Sequence, residues 1–89
     1  MSYRIEVPPP VQSEIKALPG YVRAQARQTI RELGNNPRPS RAKELDEKPN
    51  IYRIWLAGKW RIAYHVDDGL LLVRILRVRL KENIDYDSL

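Results

Sequence analysis

The chain has 89 residues, a length that fits one domain, here residues 1–89, with room for only a small core. Sixteen Lys and Arg against eleven Asp and Glu give a formal charge of +5, which favours a polyanionic partner. The absence of Cys excludes a disulfide framework, a thiolate nucleophile and a cysteine zinc site, and the single His65 cannot build a histidine cluster. No apolar run approaches the roughly 18 residues of a membrane span, and the start has no secretory layout, so a soluble, cytoplasmic protein is expected.

Tyr3 to Val7 alternates apolar and polar with period two, the pattern of a half-buried strand. Pro8-Pro9-Pro10 stops that strand and suits the first turn of a helix, because proline lacks a ladder donor but has a helical φ. Val11, Ile15 and Leu18 then form one apolar stripe on a short helix that ends at Pro19-Gly20. A second helix is expected from Tyr21 to Leu33, with Val22, Ala26, Ile30 and Leu33 inward and Gly34 as a left-handed cap. Arg23, Arg27 and Arg31 make a separate stripe on it, which reads as a solvated outer face or as a phosphate track. Residues 35–50 read as a long loop with a short extended piece around Ala42 to Leu45. The period then changes to two: Ile51 to Leu56, Trp60 to Val66 and Leu70 to Val78 are expected strands, joined by hairpin turns at 57–59 and 67–69. The result is an α+β fold: an N-terminal strand, an α-helical hairpin, then a three-stranded antiparallel meander, with the helices packed on one sheet face.

Alternation divides the first hairpin into two faces. Tyr52, Ile54, Leu56, Trp60, Ile62, Tyr64 and Val66 form the apolar set, which leaves Arg53, Trp55, Arg61 and His65 on the face away from the helices. In the last strand Arg77 and Arg79 join that face, with Ile75 in phase, and Lys81 continues the series. Arg74 falls in the helix-facing set, where only snorkelling to an edge would accommodate it. Five cations and a tryptophan thus gather on a surface left to water or to a partner. Such a cluster answers an anion, although strands of small basic proteins also carry Arg and Lys outward to discourage edge pairing. Trp55 tilts the balance, since an exposed indole among cations is suited to stacking on a base.

The element order, with "KELDEKPNIYRIWLAGKWRIAYHV" and "LLVRILRVRLKENIDY", resembles the RelE/ParE superfamily of toxins from type II toxin-antitoxin systems. For members of the RelE-like mRNA interferase kind, the resemblance implies a metal-independent, cofactor-free endoribonuclease that works on ribosome-bound mRNA. The 2′-hydroxyl attacks the adjacent phosphate, a step that needs a base, positive charge for the phosphorane and an acid for the leaving oxygen. By the same resemblance Arg53 and Arg61 stabilise the phosphate. Lys81, or Arg79 two residues before it, falls at the general acid, and Tyr86 falls near the aromatic that orients substrate. Trp55, Arg77 and Arg79 would bind RNA. One position departs from the pattern: Trp55 stands where a lysine base is usual, and indole cannot accept the proton. His65, on the same face, is the expected substitute, because imidazole ordinarily titrates near neutrality.

The resemblance also implies a cognate antitoxin as permanent partner, in a hetero-oligomer with no membrane attachment. Two other functions share the fold: DNA gyrase inhibition of the ParE kind, which needs no nuclease chemistry, and non-catalytic RNA binding.

Overall fold

A computed structural model describes residues 2–89. Strand β1 (Arg4–Glu6) leads into helix α1 (Pro9–Lys16), with prolines in its first turn, and then into helix α2 (Gly20–Leu33). Neither helix has a side-chain N-cap, so each depends on its buried stripe: Val11 and Ile15 on α1, and Val22, Ala26, Thr29, Ile30 and Leu33 on α2. Gly34 closes α2 in the right-handed region (φ −64°), not as the left-handed cap expected. The chain leaves the helix there through Asn35 and Asn36 N–H bonds to Glu32 O, so no left-handed residue is needed.

The remaining strands are β2 (Lys43–Leu45), β3 (Lys48–Leu56), β4 (Trp60–Asp67) and β5 (Leu72–Leu80). They form a five-stranded sheet in the order β1-β5-β4-β3-β2, antiparallel except for the parallel pair β1 and β5. The short extended piece expected in the loop is therefore an edge strand of the meander, and β1 is the opposite edge. Strand β5 starts two residues later than the pattern suggested. Leu71 has a φ of 51° and the Asp67 carboxylate takes the Leu70 N–H at 2.9 Å, so both leucines belong to the turn.

The core lies between the helices and one sheet face, where Ile54, Leu56, Ile62, Tyr64, Val66, Val73, Ile75 and Val78 are buried. Full burial of such an aliphatic side chain contributes about 1.5–3 kcal/mol. Ile75 in this core, rather than beside Arg77, is a correction with a local cause. Ala63 pairs with Arg77 but Tyr64 pairs with Ile75, so Leu76 is an extra residue on β5. This bulge reverses the phase of the strand. Arg74 accordingly leaves the helix-facing set and lies opposite His65 and Glu6, with its Nε donating to Glu6 Oε1 at 2.8 Å. No snorkelling is involved.

A polar cluster ties the post-helix loop to the end of the sheet. Arg38 donates to Asp68 Oδ1 and Oδ2 at 3.0 and 2.9 Å and to Tyr52 Oη at 2.7 Å, while Tyr3 Oη donates to Asp68 Oδ1 at 2.6 Å. Below it Tyr52 and Tyr64 stack with centroids 5.6 Å apart, and the buried Tyr64 hydroxyl donates to Pro37 O at 2.8 Å. The Arg38 fork, helped by Tyr3, holds the Asp68 carboxyl below its ordinary value. A depressed folded-state pKa means that the contribution of Asp68 is full above the ordinary carboxylate range of about pH 4 and is lost as pH falls through the folded value. Asp68→Asn is therefore expected to lower the melting temperature at pH 7, and the gap to wild type should narrow as pH falls below the ordinary carboxylate range. Melting curves across that range check it, and a pH-independent gap would show that Asp68 acts through shape alone.

Candidate phosphate-binding face

Three cross-strand rows make up the sheet face opposite the helices. The first is Ile51, His65 and Arg74; the second is Arg53, Ala63 and Arg77; the third is Trp55, Arg61 and Arg79. Neighbouring strands lie about 4.8 Å apart and alternate residues along a strand about 7 Å apart. Ala63 is thus the small floor of a ring, with Arg53 and Arg77 on either side and Arg61 and His65 before and after it on β4. Alternation within each strand predicts these members; the bulge at Leu76 is what brings Arg74 onto the same face, opposite His65.

This face is not left to water, as the alternation suggested. Past β5 the chain runs through a turn at Lys81–Asn83, buries Ile84 and forms a second turn at Tyr86–Ser88. Lys48, at the start of β3, reaches this tail, its Nζ donating to Asp87 O at 3.1 Å and to the main-chain oxygen of Leu89 at 3.3 Å. The tail therefore runs back from the end of β5 to the start of β3. Ile51 and Ala63 on this face are buried, while Arg53, His65 and Arg77 are half-buried.

Arg61 is the most confined of the cations, at 1 % exposure. Its guanidinium carbon lies 3.4 Å from the centroid of the Trp55 ring, and Nη1 donates to Gly58 O and Trp60 O at 3.1 and 2.9 Å. The first carbonyl belongs to the β3–β4 turn, where Ala57 and Gly58 both have positive φ, and the second to the start of β4, so Arg61 also braces the hairpin. No carboxylate pairs with it among the described residues, and desolvation pushes its pKa down, with Arg53 adding repulsion. Its Nε and the Tyr86 hydroxyl are the buried side-chain polar atoms without a partner among the described residues. Tyr86 is also close enough to act electrostatically on Arg61. Both groups carry a hydrogen to donate, so what is missing there is an acceptor.

The other expected residues divide by position. Trp55 is 53 % exposed on its outer side, as a stacking platform must be. Arg79 turns over the β5 edge to the Glu14 carboxylate of α1, which also takes the Val78 N–H at 3.0 Å where β1 no longer covers the strand. Its charge is committed to holding α1. Lys81 stands exposed at the end of the sheet near the hairpin turn, its N–H bonded to Lys59 O at 2.9 Å. His65 lies four residues from Arg61 along β4, about 13 Å, so it flanks the Ala63 row rather than the Arg61 row. Among the described residues no three His, Asp or Glu side chains converge to hold a metal ion, and no helix is long and apolar enough to cross a membrane. Sequence reasoning missed Lys48 and Glu14, because single charges in a loop and on a helix give no periodic signal.

The sequence profile described as ParE toxin of type II toxin-antitoxin system, parDE, matches residues 5–84. The chain belongs to this family. Among solved structures the toxin is similar to a mutant of Escherichia coli toxin RelE in the free state, with TM-score 0.82 and 26 % identity over 99 % of this chain and 93 % of that one. It is similar also to a chain of the intact Escherichia coli RelBE toxin-antitoxin complex, with TM-score 0.80 and 25 % identity over 92 % of this chain and 100 % of that one. The toxin-antitoxin complex RelBE2 from Mycobacterium tuberculosis shares the fold at 21 % identity and TM-score 0.74, over 91 % of this chain and 100 % of that one. No curated protein matches the sequence. The toxin is thus a member of the RelE/ParE superfamily with a RelE-like α+β fold.

Proposed function

We propose that the toxin is a ribosome-dependent endoribonuclease that cleaves mRNA and is held inactive by a cognate antitoxin. The observation that carries this reading is the ring around Ala63: Arg53, Arg77, Arg61 and His65 on one face, with a methyl group at the centre. A scissile phosphate above Ala63 would have guanidinium groups on both flanks to take the charge of the phosphorane. The unpartnered Arg61 Nε and Tyr86 hydroxyl lend the same support, being donors that lack an acceptor on the sheet face.

The reaction then runs in one displacement. His65, about 7 Å from Ala63 along the strand, takes the proton of the 2′-hydroxyl as its oxygen attacks the phosphorus. The bond to the 5′-oxygen breaks, Lys81 gives that oxygen a proton, and the products are a 2′,3′-cyclic phosphate and a 5′-hydroxyl. Lys81 is preferred to Arg79 because Glu14 holds the latter. Trp55 presents its open face to a base, and the ribosome supplies the fixed mRNA geometry.

The helical side suits the antitoxin. A groove of about 370 Å³ there has an apolar floor of Val7, Ile15 and Ile30 under a rim of Lys16, Arg27 and Arg31, which fits an acidic amphipathic segment. Inhibition of DNA gyrase is the second reading, and the observation that favours it is Trp55 in the place of a titratable base, sealing Arg61.

Producing the toxin without its partner in cells, and mapping RNA 5′ ends, separates the two. Growth arrest with codon-spaced mRNA ends, abolished by Arg53→Ala, is the expected result. Arrest with DNA damage and intact mRNA would transfer the toxin to gyrase.

A further inference from the structure

The tail that carries Tyr86 has few hydrogen bonds to the rest of the described chain. Its turn is closed by its own atoms: Asp85 Oδ1 accepts from the Asp87 N–H at 3.1 Å, and Ser88 Oγ donates to Asp85 O at 2.8 Å. Beyond Ile84, the hydrogen bonds that tie it to the rest of the described chain are the two from Lys48 Nζ. A three-residue turn with one buried aliphatic neighbour does not hold its place by itself, because nucleating a turn costs more entropy than its few bonds return. Lys48 is well placed to supply the difference. It opens β3, is half-buried and is paired with Leu45 across the tight link to β2, so its stem starts from ordered backbone. An ammonium group has three donors, and here two of them meet main-chain oxygens two residues apart in the tail.

We infer that Lys48 is a positioning residue: by clamping the main-chain oxygens of Asp87 and Leu89 it holds the buried Tyr86 hydroxyl in place on the covered sheet face, and through Tyr86 it sets the geometry of the phosphate site. This rests on the nuclease reading. Lys48 itself lies at the far end of the tail and takes no part in proton transfer. A cation whose only purpose was solubility would extend into water and would not spend its donors on main-chain oxygens 39 and 41 residues away.

The test uses the whole toxin with Lys48→Met, which keeps the stem and removes the donors, and with Lys48→Arg, which restores two donors in a fork. Amide hydrogen exchange is expected to quicken about tenfold for residues 85–89 in Lys48→Met, with β3, β4 and β5 protected as in wild type. Cleavage of ribosome-bound mRNA by Lys48→Met is expected to fall about tenfold in kcat with KM little changed, and Lys48→Arg should recover most of it. In a Tyr86→Ala background Lys48→Met should cost nothing further, since both changes act through one group. Tail exchange unchanged in Lys48→Met would overturn the clamp. A looser tail with undiminished cleavage, or additive losses with Tyr86→Ala, would overturn the positioning role. A wild-type toxin that cleaves nothing would remove the nuclease reading and the positioning role together, a result distinguishable because the exchange data do not depend on it.

Discussion

Arg61→Met is expected to abolish toxicity while leaving the toxin as stable as wild type or more so. Arg61 combines near-complete burial with an unbonded Nε and, among the described residues, no carboxylate partner. Burying a charge without a counter-ion costs several kcal/mol, only partly offset by the contact with Trp55, about 0.5–2 kcal/mol, and by two bonds to main-chain carbonyls. Methionine fills much of the same volume without that cost, so the melting temperature should hold or rise. Removing a donor aimed at developing negative charge typically lowers a rate about 100- to 1,000-fold, and mRNA cleavage should fall by that order. Arg61→Lys should recover little, because an ammonium cannot offer the planar fork. Cleavage assays on ribosomes beside thermal melts decide the matter. A variant that loses activity only in proportion to a lost melting temperature would make Arg61 a structural brace of the turn at 57–59 and nothing more. Stability withheld at a residue with spare hydrogen-bonding capacity is the usual mark of a site waiting for a ligand.

The second large effect concerns the bulge. Deleting Leu76 should leave a folded protein, whereas deleting Val78, two residues on, should prevent folding. Without Leu76, Ile75 follows directly on Arg77 in the ladder, and the pairs Ala63 with Arg77 and Tyr64 with Ile75 survive as a regular antiparallel run. The cost is the half-buried leucine and the local twist, so a loss of about 1–3 kcal/mol is expected. Without Val78, keeping Arg79 opposite Arg61 brings Arg77 opposite Ile62, into a core position that Val78 occupies at 1 % exposure. An unpaired guanidinium there costs several kcal/mol, a large part of the roughly 5–15 kcal/mol that holds a small domain together. Urea unfolding followed by circular dichroism should show a cooperative transition for the first deletion and none for the second. Two equally folded variants would mean that β5 tolerates either phase.

The membership of the sheet face was legible in the sequence for β3 and β4, because alternation is a property of each strand alone. Ile54 and Tyr64 read as core, and Arg53, Trp55, Arg61 and His65 as the other face, without knowledge of any neighbour. The motifs around Tyr52-Arg53-Ile54 and at the end of β5 likewise indicated the superfamily that the profile match shows. Strand β5 was misread in its first half because an extra residue carries no signature of its own. Leu76 is apolar like its neighbours, and only pairing with β4 reveals that it is the one left over.

Local pattern also could not tell an open face from a covered one. Whether Arg61 meets water depends on Trp55 across the strand pair and on a tail that returns from residue 84 onward to meet Lys48, contacts between segments far apart in sequence. The same holds for the parallel pairing of Ile5 with Val73 and for Glu14 on the edge of β5. What the sequence by itself determined is therefore the set of residues with one side to bury and the charge they display. Which strands become neighbours, in what phase, and which cation ends up enclosed were decided by tertiary structure, since register and coverage are free energies of pairs that no single segment contains.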